Sequence, residues 1–135
     1  MAIKFLLDTN IFIYIRQRRP LDVLTRFQAL PAGATGLSVI SYGELQYGAE
    51  RSRNPALAFK ALEEFAELIH VLPLPIAAGN AYAQIRRSLE TRGEIIGAND
   101  LWIAAHAKAA ELTLVTNNER EFKRVAGLKI ENWIK

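Results

Sequence analysis

The class of fold is decided by the stretch IKFLLDTN, residues 3–10, in which a nearly unbroken apolar run ends at Asp8. The run lacks the polar alternation of a half-exposed strand, so it predicts a strand that is covered on both faces, as in a parallel sheet. Thr9 and Asn10 are residue types that favour the start of a helix. We therefore expect a first strand over Ile3–Leu7 that leads directly into a helix.

The rest of the chain alternates in the same way between short apolar runs and helical patterns. Further strands are predicted at Thr35–Leu37, Val71–Leu74, Leu112–Val115 and Leu128–Ile130. Further helices are predicted at Leu21–Leu30, from Ser38 or Ser41 to Arg51, and at Pro55–His70, Ile76–Leu89, Asp100–Glu111 and Glu119–Val125. This alternation is typical of βαβ units. We expect one α/β domain over residues 1–135, a three-layer α/β/α arrangement around a mostly parallel sheet of four to five strands. A ligand is expected at the carboxyl ends of those strands.

Composition excludes several classes of protein. Hydrophobic residues make up 50% of the 135 positions and charged residues 23%, which is typical of a globular chain. There is no cysteine and there are only two histidines, so disulfide frameworks, thiolate nucleophiles and Cys-based metal sites are excluded. No run of about 20 apolar residues is present, and we expect a cytoplasmic protein without membrane contact. The net charge of +3 is compatible with a polyanionic partner but decides nothing alone.

Three acidic residues are placed where a parallel sheet would carry its site. Asp8 follows the first strand, Glu44 lies on a small and apolar helix face and is expected to point inward or into a cleft, and Asp100 is expected to begin a helix. Each has a simpler interpretation, because Asp8 and Asp100 would serve as helix caps and Glu44 as a solvated residue. Carboxylates brought together repel one another, and a hard divalent cation such as Mg²⁺ relieves that repulsion. Magnesium held in this way commonly acts on phosphates.

Four strings identify a resemblance that covers essentially the whole chain. In order, LLDTN (6–10), SYGELQYGAE (41–50), GANDLWIAAHA (97–107) and LVTNNEREF (114–122) resemble the PIN-domain ribonucleases, and specifically the VapC toxins of VapBC toxin–antitoxin modules. The resemblance implies an endoribonuclease that depends on Mg²⁺ or Mn²⁺ and leaves 5′-phosphate and 3′-hydroxyl ends. Its substrate would be a structured RNA, such as a transfer-RNA anticodon loop or a ribosomal-RNA loop.

The resemblance also implies roles and partners. Asp8 and Asp100 would bind the metal directly, and Glu44 would complete the site or act through water. The inhibitor would be a VapB-type antitoxin whose carboxyl-terminal segment becomes ordered in the toxin's groove. Such toxins usually form homodimers and meet operator DNA only through the antitoxin. The alternative function, from a different class, is a non-catalytic α/β module that binds a phosphorylated or nucleotide ligand.

The fourth acidic position departs from the family pattern. Many PIN domains carry an aspartate where this chain has Asn118, and Glu119 and Glu121 follow just beyond. Asn118 could offer a carbonyl oxygen or hold a water, or Glu121 could supply the missing catalytic carboxylate. Thr116 is a candidate to fix the Asp8 carboxylate through a hydroxyl hydrogen bond, or a purely structural strand-terminal residue.

Other candidates carry weaker signals. His106 is a candidate base but is more simply a packed or surface histidine, and Tyr42 and Tyr47 would stack on bases, fill a dimer interface or join the core. Two arginine groups are candidates to hold RNA phosphates, although a solvated helix face is the simpler fate for at least half of them. These groups are Arg16, Arg18 and Arg19, and Arg86, Arg87 and Arg92.

Overall fold

The computed structural model describes residues 2–134, which form a parallel five-stranded sheet flanked by helices. In chain order the elements are β1 (Phe5–Leu7), α1 (Thr9–Gln17), α2 (Leu21–Gln28), β2 (Thr35–Ser38), α3 (Val39–Glu50), α4 (Pro55–Ala66), β3 (His70–Leu72), α5 (Ala77–Thr91), α6 (Ala98–Ala109), β4 (Thr113–Val115), α7 (Glu119–Phe122) and β5 (Ile130–Glu131). The predicted three-layer α/β/α class is confirmed. Within residues 2–134, no helix has the length and apolar character needed to cross a membrane.

The strand order is β3-β2-β1-β4-β5, so the first strand lies at the centre of the sheet. Leu7 is in register with Leu37 of β2 on one side and with Val115 of β4 on the other. The backbone N–H of Asp8 then donates to the carbonyl of Val115 at 2.9 Å. The residues that follow these central strands therefore meet at one edge of the sheet.

The apolar character of β1 follows from the two cores that it separates. Leu6 and Leu7 are both fully buried, and because successive strand side chains point to opposite faces, they enter different clusters. Leu6 packs with residues of α5 and α6, such as Leu89 and Ile103. Leu7 packs with residues of α1, α3 and α4, such as Phe12. A strand covered in this way has no solvent face, which explains the missing alternation.

Helix starts were predicted correctly where a side chain caps the helix. Ser38 accepts a hydrogen bond from the backbone N–H of Ile40 at 3.2 Å and begins α3, and Asn54 accepts from Leu57 at 3.2 Å and begins α4. In both cases the oxygen satisfies a backbone donor that has no partner inside the helix.

Several predicted boundaries are wrong, among them those of α6, α4 and the last strand. Asp100 does not begin α6, because the helix starts at Ala98 with Gly97 as its N-cap, which leaves Asp100 in the first turn. The fourth helix ends at Ala66 rather than near His70, and His70 instead begins β3. The last strand is Ile130–Glu131, shifted towards the carboxyl terminus from the predicted Leu128–Ile130, since its register is set by pairing with β4.

Candidate active site

Asp8 is held in a fixed orientation at the carboxyl end of β1. It is 6% exposed, and its Oδ1 accepts from the backbone N–H of Thr9 at 2.7 Å. Its Oδ2 accepts from the hydroxyl of Thr116 at 2.7 Å, which confirms the predicted Thr116 contact. Burial raises the pKa of Asp8, the hydrogen bonds from Thr116 and Thr9 oppose that rise, and the nearby charge of Glu44 adds to it. Asp8 therefore caps α1 and also presents an oriented carboxylate at the sheet edge.

Glu44 does not point into the core, because Ser41, Leu45 and Ala49 form the buried face of α3. Its side chain is exposed and lines a cleft of about 500 Å³ between α1, α3 and α4, which is the second of the two predicted locations. Glu44 Oε1 accepts a hydrogen bond from the Thr9 hydroxyl at 2.8 Å. The residue next to Asp8 therefore holds Glu44 towards the same edge of the sheet.

The pKa of Asp100 is affected by three other carboxylates at the same edge of the sheet. Its pKa is raised to about 6, first by burial and then by the negative charges of Asp8, Glu121 and Glu44, in that order. Four carboxylates from four separate parts of the chain thus repel one another at this edge. None of them forms an ion pair with a basic side chain among residues 2–134. Since Gly97 rather than Asp100 occupies the N-cap of α6, capping does not account for Asp100.

The segment after β4 links Asp8 to the fourth carboxylate. Thr116 Oγ1, which donates to Asp8, accepts from the backbone N–H of Asn118 at 2.9 Å. The Asn118 side-chain amide donates to Glu121 Oε2 at 3.1 Å. A continuous series of hydrogen bonds therefore runs from Asp8 to Glu121, and Asn118 acts in it as a donor that positions a carboxylate.

Glu119 and Glu121 point in different directions from α7. Glu119 Oε2 accepts a hydrogen bond from the Asn132 side chain at 3.1 Å, near the last strand. Glu121 is the one whose charge raises the pKa of Asp100. Of the two glutamates, Glu121 is the one that faces the other carboxylates. No three Asp, Glu or His side chains of residues 2–134 are already arranged to hold a metal ion, so the carboxylates lie within electrostatic range of one another without forming a preformed coordination shell.

Comparison with known proteins identifies the family. Residues 5–128 match the PIN domain. The chain belongs to the PIN-domain family. Over 132 residues this PIN domain is 42% identical to Ribonuclease VapC2 of Haemophilus influenzae, with 98% of this chain and 99% of the relative covered. It is also 42% identical over 131 residues to the tRNA(fMet)-specific endonuclease VapC of Shigella flexneri, covering 97% of this chain and 98% of that protein.

A solved structure agrees with this assignment. The crystal structure of VapBC2 from Rickettsia felis, bound to a DNA fragment from their promoter, superposes on this PIN domain with a TM-score of 0.89. The sequences are 36% identical, and the match covers 99% of this chain and all of that one. The chain is thus a PIN domain of the VapC group, as its four motifs indicate.

The weaker candidates divide between structural and exposed positions. His106 is buried in the PIN domain, with Nδ1 2.8 Å from the Ser38 hydroxyl, so the packed interpretation is confirmed. Burial lowers the pKa of His106. Tyr42 packs against the core, whereas Tyr47 is 65% exposed with the guanidinium of Arg51 over its ring.

The two arginine groups also differ in their contacts. Arg86 is bonded to Glu90 at 3.1 Å and to the Tyr82 hydroxyl at 2.7 Å, and Arg92 is bonded to Glu94 at 3.0 Å. Arg16 lines the cleft beside Glu44. A third group, Arg120, Lys123 and Arg124, was not predicted, although three cations within EREFKR next to Glu121 are a visible signal.

Proposed function

We propose that this endoribonuclease of the VapC group cleaves RNA with Mg²⁺ or Mn²⁺ held by Asp8 and Asp100. The proposal rests chiefly on one observation, the gathering of Asp8, Glu44, Asp100 and Glu121 at one edge of the sheet, where burial and then the charges of the other three raise the pKa of Asp100 to about 6. A cluster of negative charges without a basic partner among residues 2–134 is suited to a cation, and carboxylate oxygens are the ligands that Mg²⁺ prefers. A divalent ion bound there would lower the pKa of a bound water and offset charge that develops on the scissile phosphate.

The residues of the chain have separable tasks in this proposal. Thr9 and Thr116 fix the two oxygens of Asp8, so that its remaining lone pairs face the edge of the sheet. Asn118 holds Glu121 Oε2 and leaves Oε1 to orient a water or complete the metal site. Glu44, held by the Thr9 hydroxyl, borders both the carboxylates and the cleft. Fixed carboxylates need little reorganisation when charge develops on the phosphate.

The partners follow from the relatives. One relative is named a tRNA(fMet)-specific endonuclease and the solved relative is a VapBC complex on promoter DNA, which supports a structured RNA substrate and a VapB-type antitoxin. The cleft beside Glu44 is lined by apolar side chains such as Ile13, Leu45 and Leu62 together with Arg16, and it suits an antitoxin segment that becomes ordered on binding. In this proposal the toxin forms a homodimer in the cytoplasm and contacts operator DNA only through the antitoxin.

The test combines RNA end mapping with metal binding. New 5′ ends in total RNA are mapped after brief expression of the wild type and of Asp8→Asn, which keeps an oxygen to accept from Thr9. We expect discrete cleavage sites for the wild type and a loss of about 10²–10⁴-fold in the variant, the effect of removing a major catalytic group. Mn²⁺ should raise the melting temperature of the wild type but not of Asp8→Asn.

Two further outcomes separate the alternatives. Near-normal cleavage by a folded Asp8→Asn protein would remove Asp8 from the mechanism. A wild type that neither cleaves RNA nor responds to Mn²⁺ would favour the non-catalytic module that binds a phosphorylated ligand. Glu121→Gln tests the fourth position, and a loss as large as that of Asp8→Asn would make Glu121 a functional carboxylate.

A further inference from the structure

A second charged feature lies beside the carboxylates. A cleft of about 690 Å³ opens between the segment that follows α5 and the segment around α7. We call it the basic cleft, and it is lined by Arg92, Glu94, Arg120, Lys123, Arg124 and Ala126. Four cations thus face a single carboxylate, which is already paired with Arg92 at 3.0 Å. The basic cleft has a net positive charge and no aromatic side chain in its lining.

Two of its arginines hold the walls of the basic cleft together. An Arg92 guanidinium nitrogen donates to the backbone carbonyl of Arg124. Arg124 Nη1 donates in return to the carbonyls of Glu94 at 3.3 Å and Ile95 at 3.4 Å. Because carbonyl groups are neutral, the charge of Arg124 is not cancelled by these bonds. Hydrogen bonds therefore connect the two walls of the basic cleft directly.

The other two cations are free to bind a ligand. Arg120 and Lys123 are exposed, and their side chains form no ion pair or hydrogen bond with any of residues 2–134. They are three positions apart along the last helix and its C-cap, a spacing that puts two side chains on one side. The nearby glutamates form no ion pair with them; Glu119 accepts a hydrogen bond from Asn132 and Glu121 one from Asn118.

Each wall of the basic cleft is connected along the chain to a carboxylate of the candidate active site. The segment that carries Arg92 and Glu94 leads through Gly97 to Asp100. On the other wall, Glu121 stands next to Arg120 in the chain, and adjacent Cα atoms are about 3.8 Å apart. A polyanion that places one phosphate at the carboxylates would therefore have neighbouring phosphates within reach of the free cations.

We propose that the basic cleft binds backbone phosphates of the RNA on one side of the scissile bond, with Arg120 and Lys123 making the contacts. The inference rests on the proposed ribonuclease function and adds a substrate subsite to it. Guanidinium and ammonium groups form strong charge-assisted bonds with phosphate oxygens. Since the lining offers no aromatic ring for base stacking, the contact is independent of sequence, and it positions the strand without selecting bases.

The experiment measures RNA binding separately from cleavage. Arg120→Ala/Lys123→Ala is placed in the Asp8→Asn background, and its affinity for a single-stranded RNA 12-mer of mixed sequence is measured from 50 to 300 mM salt. The matched control is Lys4→Ala/Lys129→Ala, which removes the same charge from exposed positions just before β1 and β5, at the opposite edge of the sheet. Circular dichroism and melting temperature verify that each variant is folded, and Arg120→Gln/Lys123→Gln replaces the alanine pair if it is not.

We expect the cleft variant to bind the 12-mer about tenfold or more weakly at low salt. Its log–log salt slope should be smaller by about 1.4, or 0.7 for each lost phosphate contact on a single strand. The control should keep both values. Equal losses of RNA affinity in both variants, or no loss in either, would overturn the proposal. A cleft variant that keeps its affinity for RNA but loses affinity for an acidic antitoxin peptide would also overturn it.

Failure of the underlying function has a separate signature. The wild type, with its Asp8 intact, is tested in parallel for RNA cleavage and for a Mn²⁺-dependent rise in melting temperature. If the wild type shows neither response but the cleft variant alone loses RNA affinity, the metal-dependent ribonuclease is wrong and the RNA-binding cleft stands. If the wild type cleaves RNA and the cleft variant binds RNA normally, the ribonuclease function stands and the RNA-binding role of the basic cleft is wrong.

Discussion

Asp100→Asn should stabilise the metal-free protein, although it removes a residue proposed to bind the metal. The substitution keeps the shape of the side chain and removes one of four mutually repelling charges. An amide also costs less to bury than a carboxylate. The prediction is opposite to that for an aspartate that only caps a helix, whose loss would destabilise the protein.

The magnitude follows from the pKa of Asp100. A rise from 3.8 to about 6 corresponds to about 3 kcal/mol at 1.36 kcal/mol per pKa unit. Because the side chain is only partly buried, solvent screening reduces this to about 2 kcal/mol. Loss of a favourable charge in the first turn of α6 offsets about 0.5 kcal/mol. The variant should therefore gain about 1.5 kcal/mol in free energy of unfolding, or about 5 °C in melting temperature.

The difference in stability between Asp100→Asn and the wild type should depend on pH. The folded protein holds the Asp100 proton more firmly than the unfolded chain does, so the cost of burying the Asp100 charge and of its repulsion by the other carboxylates is absent below about pH 4 and fully present above about pH 6. The advantage of Asp100→Asn should appear as the pH rises through that range. Urea unfolding in EDTA at pH 4 and pH 7.5 measures it, with Glu63→Gln, an exposed change on α4, as the control.

Saturating metal should reverse the order of stabilities. Mn²⁺ at one hundred times its dissociation constant would add about 2.7 kcal/mol to the wild type, more than the variant gains from losing its charge. Two results would refute the reasoning from carboxylate repulsion. One is an Asp100→Asn variant that is less stable than the wild type in EDTA at pH 7.5, and the other is a stability gain that is as large at pH 4 as at pH 7.5.

Three other predictions address the surroundings of the site. Thr116→Val should lower the free energy of unfolding by about 1.5–3 kcal/mol, because one buried oxygen of Asp8 loses its donor, and chemical denaturation checks this. Asn118→Asp should tighten Mn²⁺ binding in a titration, since it adds a carboxylate next to the others, but lower activity, because it removes the amide that holds Glu121; weaker binding would contradict the prediction. His106→Gln should flatten the fall in the free energy of unfolding below pH 6.5. In the wild type this fall should reach up to about 1.4 kcal/mol per pH unit, because the buried imidazole resists the proton that the unfolded chain takes up. An unchanged slope in unfolding experiments would contradict the prediction.

The parts of the fold that could be predicted are those controlled by local sequence. Buried parallel strands are apolar runs, so β1, β2 and β4 were located to within about two residues. The start of α4 was predicted because Asn54 followed by Pro55 satisfies helix donors locally. The start of α6 was not, since Gly97 caps it through its backbone conformation without a side-chain bond.

In the candidate active site too, the features controlled by local sequence were predicted and those that depend on packing were not. Asp8 and Thr116 were identified as a pair because each follows a strand of one parallel sheet. The sequence left open whether Glu44 points inward, lines a cleft or is solvated, because this depends on which face of α3 packs against its neighbours. The Asn118 bond to Glu121 and the basic cleft arise from contacts between segments that are distant in sequence or turn sharply, and periodicity carries no information about these.

The central position of β1 has a consequence for how the protein is made. One neighbour of β1 is translated soon after it, but Thr116, at the end of the other neighbour, comes 108 positions after Asp8. A ribosome that has translated only residues 1–99 has produced Asp8 and Glu44 without either Asp100 or Glu121, the carboxylates that face them. Nascent chains and prematurely terminated products therefore lack half of the site. For a polypeptide that would damage the RNA of the cell that makes it, this order delays any harm until β4 and α7 have been translated.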